Sequence, residues 1–206
     1  KIKTKIVSFV LRRLKPVVYG EKISFNFIYW GRLHKVKNLV NTIKFFNKFY
    51  CIDKTSKLTL IGHDYGMKNE LKMLIQNLNL KNNVNILEFM DMNKIIEIVK
   101  DYSFFIQLSS YEGMAMSVVE SMQLGLIPIV TNVGEIGNYC IDEKNSIIFE
   151  DFKDTFKKIL EIKNNSFSYK KISNHAINTW KNRNLYDEDI YFSCKKFYKE
   201  NKIYLK

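Results

Sequence analysis

Two acidic residues, Glu112 and Glu120, stand eight positions apart in the run SSYEGMAMSVVESMQLGLIPIVT, Ser109–Thr131. Ser109, Ser110 and Gly113 read as the end of a strand and the opening of a helix. The helix's first amides, near Met114, Ala115 and Met116, are then free to meet an anion. Eight residues of helix rise about 12 Å and return to within about 80° of the starting direction. The two carboxylates thus face one cleft, too far apart to share a proton. They are suited to accept hydrogen bonds from hydroxyls at opposite ends of an extended ligand. Either one alone also fits a solvated helix glutamate.

A second segment, GRLHKVKN, places Gly31, Arg32 and Lys37 directly after an apolar run. Two cations at a strand end, beside the amides opening the next helix, can converge on a phosphate. In a basic protein the same residues also serve as ordinary surface cations. A third, GHDYG (Gly62–Gly66), permits a tight turn with backbone close to a ligand, and equally a strand-to-helix turn with no ligand. His63 and Asp64 are adjacent rather than arranged as a dyad. Cys51, Cys140 and Cys194, like the three His, are scattered without metal-ligand spacing. No disulfide framework and no protein-borne metal site are expected, and a reducing cytoplasmic setting fits.

The elements that must position these residues are legible as alternating patterns. Short β-rich runs occur at Phe25–Trp30, Lys57–Ile61, Val84–Phe89, Ser103–Leu108, Ile127–Val130 and Ser146–Phe149. Between them apolar residues recur at helical spacing, as in Leu39, Ile43 and Phe46 or Val118, Val119 and Met122. Strand alternating with helix predicts an α/β fold, a Rossmann-like doubly wound parallel sheet, which binds ligands beyond the carboxyl ends of its strands. Residues 1–22 read as a linker or incoming segment and 23–150 as the sheet domain. Residues 151–206 read as a C-terminal helical segment packing on it. No apolar run approaches the roughly 18 residues of a membrane-spanning helix. The net charge of +12 favours a polyanionic partner: nucleic acid, anionic lipid or a phosphorylated small molecule. The plainer account is that abundant Lys side chains solvate helix faces.

Glutamate, seven residues and glutamate, followed by Gly125 and Pro128, resembles the donor-binding signature of group 1 (family 4) glycosyltransferases. These enzymes are retaining and have two Rossmann-like lobes, the GT-B fold. GRL with Lys37, then KLTLIGHDYG, NNVNILEFM and TNVGEIGNYCIDEKNSIIF follow in the family's order. The resemblance, over roughly residues 25–149, implies that Arg32 and Lys37, at the Gly31 turn, hold the diphosphate of a nucleotide-sugar donor. Glu112 and the amides of Gly113, Met114, Ala115 and Met116 would meet the sugar hydroxyls and distal phosphate. Glu120 would accept both ribose hydroxyls, and Phe89 and Met90 would border the base. Glu112, Arg32 and Lys37 are the catalytic candidates. No cofactor and no metal are implied, the donor itself being a substrate. This sequence departs from the family at Ala115, where glycine is usual, and at Glu88, beside the base pocket.

The length is about half of a two-lobed enzyme. With Lys1 first, the chain reads as the donor-binding half, its N-terminal Rossmann-like partner domain being absent. The expected acceptor is a glycan or polyprenyl-linked glycan, in surface polysaccharide, lipopolysaccharide or capsule synthesis. The expected location is the cytoplasm, including peripheral attachment to the anionic inner face of the plasma membrane. The alternatives are a GT-B sugar-nucleotide epimerase and a basic nucleic-acid-binding domain that uses aromatics such as Phe45, Phe46 and Phe49. The leading reading has no nucleic-acid partner.

Overall fold

Uninterrupted apolar strands have to be covered on both faces, and that requirement organises the whole molecule. The computed structural model describes residues 10–17 and 24–200. Most of the incoming segment expected over 1–22, and the tail after Glu200, lie outside the described residues. The order is β1 (Phe27–Trp30), α1 (Leu39–Ile52), β2 (Leu58–Ile61), α2 (Lys68–Asn77), β3 (Val84–Leu87), α3 (Met92–Ile98), β4 (Phe104–Gln107), α4 (Met116–Leu124), β5 (Ile127–Val130), α5 (Ile136–Tyr139) and β6 (Ile147–Ile148). Three helices follow: α6 (Phe152–Asn164), α7 (Ser166–Lys181) and α8 (Tyr186–Glu200). Each expected strand is present, shortened by one or two residues at its ends except for β5, whose bounds coincide.

All strand pairs are parallel, in the order β3-β2-β1-β4-β5-β6. β1, β2, β4 and β5 are buried along their full length, while the edge strand β3 is only partly so. The chain winds outward in one direction from β1 and in the other from β4. The crevice beyond the carboxyl ends of these two central neighbours is where such sheets take ligands.

One side of the sheet is closed by aromatic packing. Phe27, wholly buried, meets the rings of Phe45, Phe46 and Phe49 on α1 edge-on and stacks on Phe104 of β4. Phe152 and Phe156 of α6 extend the cluster to Phe45 and Phe49. The α1 aromatics are therefore spent on the core and are not available to stack on nucleic-acid bases. On the other side, α7 lies along α4: Trp180 contacts Tyr139 and Met122, and Ser173 Oγ donates to the Gly125 carbonyl at 2.6 Å. Among the described residues, no helix is long and apolar enough to cross a membrane.

Phe27→Ala should lower the unfolding free energy by about 3–5 kcal/mol, the usual cost of emptying a Phe site in a tight core. A loss of less than about 1 kcal/mol, read from the denaturant midpoint and slope, would show that the aromatic cluster closes over the gap.

Candidate functional site

β1 ends at Trp30, and the turn that follows must pass close to β2. A Cβ on Gly62 would lie 1.7 Å from the Gly31 carbonyl oxygen, so the two strand ends can run side by side only with glycine there. Leu33 and Tyr65 then lock the two turns together: the Leu33 amide donates to the His63 carbonyl at 2.8 Å and the Tyr65 amide to the Leu33 carbonyl at 3.0 Å. The buried Tyr29 hydroxyl donates to the Arg32 carbonyl at 2.9 Å. Burial foremost, then the charge of Glu112, pushes that hydroxyl far above its usual pKa, so it stays a donor.

β4 ends in Gln107, a polar residue closing the apolar run FFIQ. The loop from Leu108 to Ala115 carries Glu112, which stands ahead of α4, as its place before the expected helix implied. The helical geometry expected between Glu112 and Glu120 does not apply over this stretch. Tertiary contacts hold the loop instead. Ser110 N–H donates to the Val36 carbonyl at 2.9 Å, Thr131 Oγ1 to the Ser109 carbonyl at 2.6 Å, and Glu135 N–H to the Gly113 carbonyl at 3.0 Å. Gly134, at φ +57°, makes room for this loop, since a Cβ there would fall 2.0 Å from the Glu112 carbonyl oxygen.

The Glu112 carboxylate, with only 7% of its side chain exposed, is gripped through one oxygen. Oε1 accepts from Lys37 Nζ at 2.6 Å, Gln107 Nε2 at 2.8 Å and Ser109 Oγ at 2.5 Å. Ser117 Oγ donates to Gln107 Oε1 at 2.8 Å, which forces the amide to present its N–H₂ to Glu112. Oε2 has no partner among the described residues and is the carboxylate's free face. Beside it, the amides of Met116 and Ser117 open α4 without acceptors among the described residues, as helix N-termini do. The residue that caps α4, Ala115, sits in the left-handed region at φ +49°, where the family's usual glycine is unstrained.

Glu120, one helical turn into α4, points to the end of β1. Its Oε2 accepts from Trp30 Nε1 at 3.0 Å, and its Oε1 lies 3.6 Å from Arg12 Nε. Burial raises its pKa, against the opposing pull of the Trp30 hydrogen bond and the Arg12 charge. Both carboxylates are thus tied to β1 and its turn, one through Trp30 and the other through Lys37. Arg32 pairs with neither; it is exposed, with its guanidinium 5.7 Å from the Tyr65 ring centre.

Arg32 also borders a pocket of about 190 Å³ lined by Trp30, Gly31, Ile61, His63, Phe89, Met90 and Ile95. Phe89, largely exposed, lies flat on His63, with ring centres 4.5 Å apart and planes 9° from parallel. Phe89 and Met90 are therefore joined by His63, whose scattered position in the sequence pointed to no role. Trp30, Gln107 and Ser117 were likewise unmarked, although a glutamine ending an apolar strand is a signal open to reading. Glu88, next to Phe89 in sequence, is exposed and bonded to Lys68, which holds its carboxyl below the usual range. Among the described residues, no three His, Cys, Asp or Glu side chains gather as metal ligands.

Comparison with known proteins follows the same lines. The family model described as "Glycosyl transferases group 1" matches residues 20–179. The GDP-mannose:cellobiosyl-diphosphopolyprenol alpha-mannosyltransferase of Xanthomonas campestris is 26% identical over 107 residues, 52% of this chain and 28% of that protein. TarM of S. aureus, solved in complex with UDP among other ligands, superposes with a TM-score of 0.76 at 16% identity, over 94% of this chain and 40% of its own. The C-terminal domain of the group 1 glycosyltransferase LpcC from Francisella tularensis superposes at 0.69 and 17% identity, over 84% of this chain and 96% of that domain. The chain thus spans well under half of the two longer proteins.

Ala115→Gly should raise stability by about 1 kcal/mol, as release of a left-handed alanine predicts, and a thermal melt reads it. A lowered Tm would show that the strain is already relieved elsewhere. Glu120→Gln should stabilise the fold at neutral pH. A carboxyl whose pKa is raised on folding favours the folded state while protonated and loses that contribution as pH rises through the raised value. The gain should therefore shrink to nothing near pH ~4, where the unfolded carboxyl is protonated too. An advantage for the variant that does not change with pH would contradict the burial of this charge.

Proposed function

The chain belongs to the group 1 glycosyltransferases, and from that premise we propose that it is the donor-binding half of a retaining sugar transferase. The observation that carries the proposal is the meeting of Lys37, Glu112 and the first amides of α4 at the junction of β1 and β4, with a ring-lined pocket alongside. A nucleoside diphosphate-sugar has the matching parts: a flat base, a diol, two phosphates and a hydroxylated ring.

In this reading the base lies against Phe89, Met90 and His63, and the ribose diol donates to Glu120. The diphosphate is held by Arg32, Lys37 and the amides of Gly113–Met116. Lys37 spends one of its three N–H donors on Glu112 and keeps two for phosphate oxygens. The free Oε2 of Glu112 accepts from sugar hydroxyls. Transfer breaks the bond between the anomeric carbon and the phosphate oxygen, and the diphosphate departs with the electron pair. The acceptor oxygen bonds the same carbon on the same face, and its proton passes to the departing phosphate. Positive charge grows on the sugar and negative charge on the phosphate, so fixed cations and amides supply the largest stabilising contribution. That neutralisation needs no metal held by the protein. A hydrolase-like double displacement places its two carboxylates about 5 Å apart. Anchoring of Glu112 and Glu120 on separate partners favours binding roles for both.

The acceptor is proposed to be a glycan carried on a polyprenyl diphosphate, in surface polysaccharide synthesis at the inner membrane face. The Xanthomonas relative, named for such an acceptor, and the net charge of +12 support this.

UDP, GDP or ADP at ~100-fold over its Kd should stabilise the protein by about 2.7 kcal/mol in thermal or chemical unfolding. Glu120→Ala and Lys37→Ala should each abolish most of that response. Stabilisation only by a short oligonucleotide, lost in modest salt, would overturn the proposal in favour of a nucleic-acid binder.

A further inference from the structure

The segment Val10–Val17, which precedes β1, is fastened to α4. The Leu14 amide donates to Gln123 Oε1 at 3.1 Å and the Val17 amide to the Leu124 carbonyl at 3.0 Å. Its other side is fastened to the start of α8, through the Tyr186 amide on the Val10 carbonyl at 2.9 Å and Arg13 on Glu188 at 2.9 Å. These ties deliver Arg12 to Glu120, with Nε 3.6 Å from Oε1. The arginine side chain is half exposed (53%), whereas the glutamate keeps 12% of its side chain in solvent.

The carboxylate is therefore held from two elements, neither of them its own helix. Trp30 of β1 donates to Oε2, while Arg12 faces Oε1 across an ionic contact longer than a hydrogen bond. Among the described residues these are the charged and polar groups facing Glu120. An ionic contact of this kind leaves the lone pairs of Oε1 open. A diol needs a charged carboxylate to receive two O–H bonds, because a protonated acid would itself present a donor to one of the hydroxyls.

We propose that Arg12 is a positioning residue of the nucleotide site: carried in on the segment before β1, it keeps the Glu120 carboxylate charged and oriented to accept a ribose diol. The inference rests on the reading of Glu120 as the ribose acceptor. Burial alone would favour the neutral acid, and Arg12 is the only cation among the described groups that face this side chain. Arg13, next in sequence, points instead to Glu188 and provides an internal control.

UDP and GDP binding is measured by calorimetry between pH ~5 and pH ~8 on the wild-type chain and on R12M, R12K, R13M, E120Q and R12M/E120Q. Protonation of the ligand is common to all and cancels in ratios of Kd. R12M should weaken binding by a factor that grows roughly two- to threefold toward the acid end, the direction required when the cation beside the carboxyl is removed. R12K should restore most of the loss, R13M should match the wild type, and R12M should add no pH-dependent loss to E120Q. R12Q repeats the measurement without the bulk of methionine. A loss in R12M that is the same at every pH, or that persists unchanged in the E120Q background, overturns the proposal while leaving the nucleotide site intact. A wild-type chain that binds neither nucleotide overturns the proposed function and this inference together.

Discussion

A carboxylate with almost no access to water has to be matched by donors, and the matching of Glu112 governs the layout of this molecule. Its three donors come from the turn after β1, from the end of β4 and from the loop itself. Removing any one leaves a charge under-solvated in a place where water cannot replace the lost bond. The two central strands must therefore end together and the loop must take one path. Gly134 must also remain without a side chain so that the chain after β5 can brace the loop. All three donors fall on one oxygen, and the other has no partner among the described residues. The arrangement holds the carboxylate in a fixed position.

Around that anchor the labour is divided by chemistry. The α4 amides and Lys37 offer positive potential that costs no reorganisation when an anion arrives, since the helix and the Glu112 pair already hold them in place. The pocket lined by Phe89, His63 and Met90 offers flat apolar surface with few charges. Glu88, the residue before Phe89, has its charge paired with Lys68. Arg32 is the least constrained member: it is exposed and only loosely placed over Tyr65.

The helices after β6 serve the same end indirectly. Trp180 and Ser173 of α7 brace α4, the helix that carries Glu120 and presents its amides to the crevice. The aromatic side of the sheet, from Phe27 through α1 to Phe156, fixes where β1 stops. Residues in the short loops at the strand ends are thus held by long-range packing, which lets a loop be both irregular and rigid.

Strand and helix alternation, the parallel sheet and the crevice at strand ends were all legible in the chain, because apolar periodicity is a local property set by the geometry of each element. Lys37 and Glu112 stood out as charged residues following strands, near glycines, and Glu120 as a second acid eight positions on. Their partners did not. Lys37 and Glu112 are 75 positions apart, and Trp30 and Glu120 are 90 apart. Nothing in local spacing distinguishes His63 or Arg12 from other polar residues. The helix expected to open after Gly113, with Glu112 ahead of it, begins at Met116, since the loop's backbone bonds go to Val36 and Glu135, which no period along the chain reveals. Local hydrogen-bond geometry determined which elements form. Which groups neutralise a buried charge was decided only by the folded arrangement, because electrostatic pairing depends on distance in space and takes no account of distance along the chain.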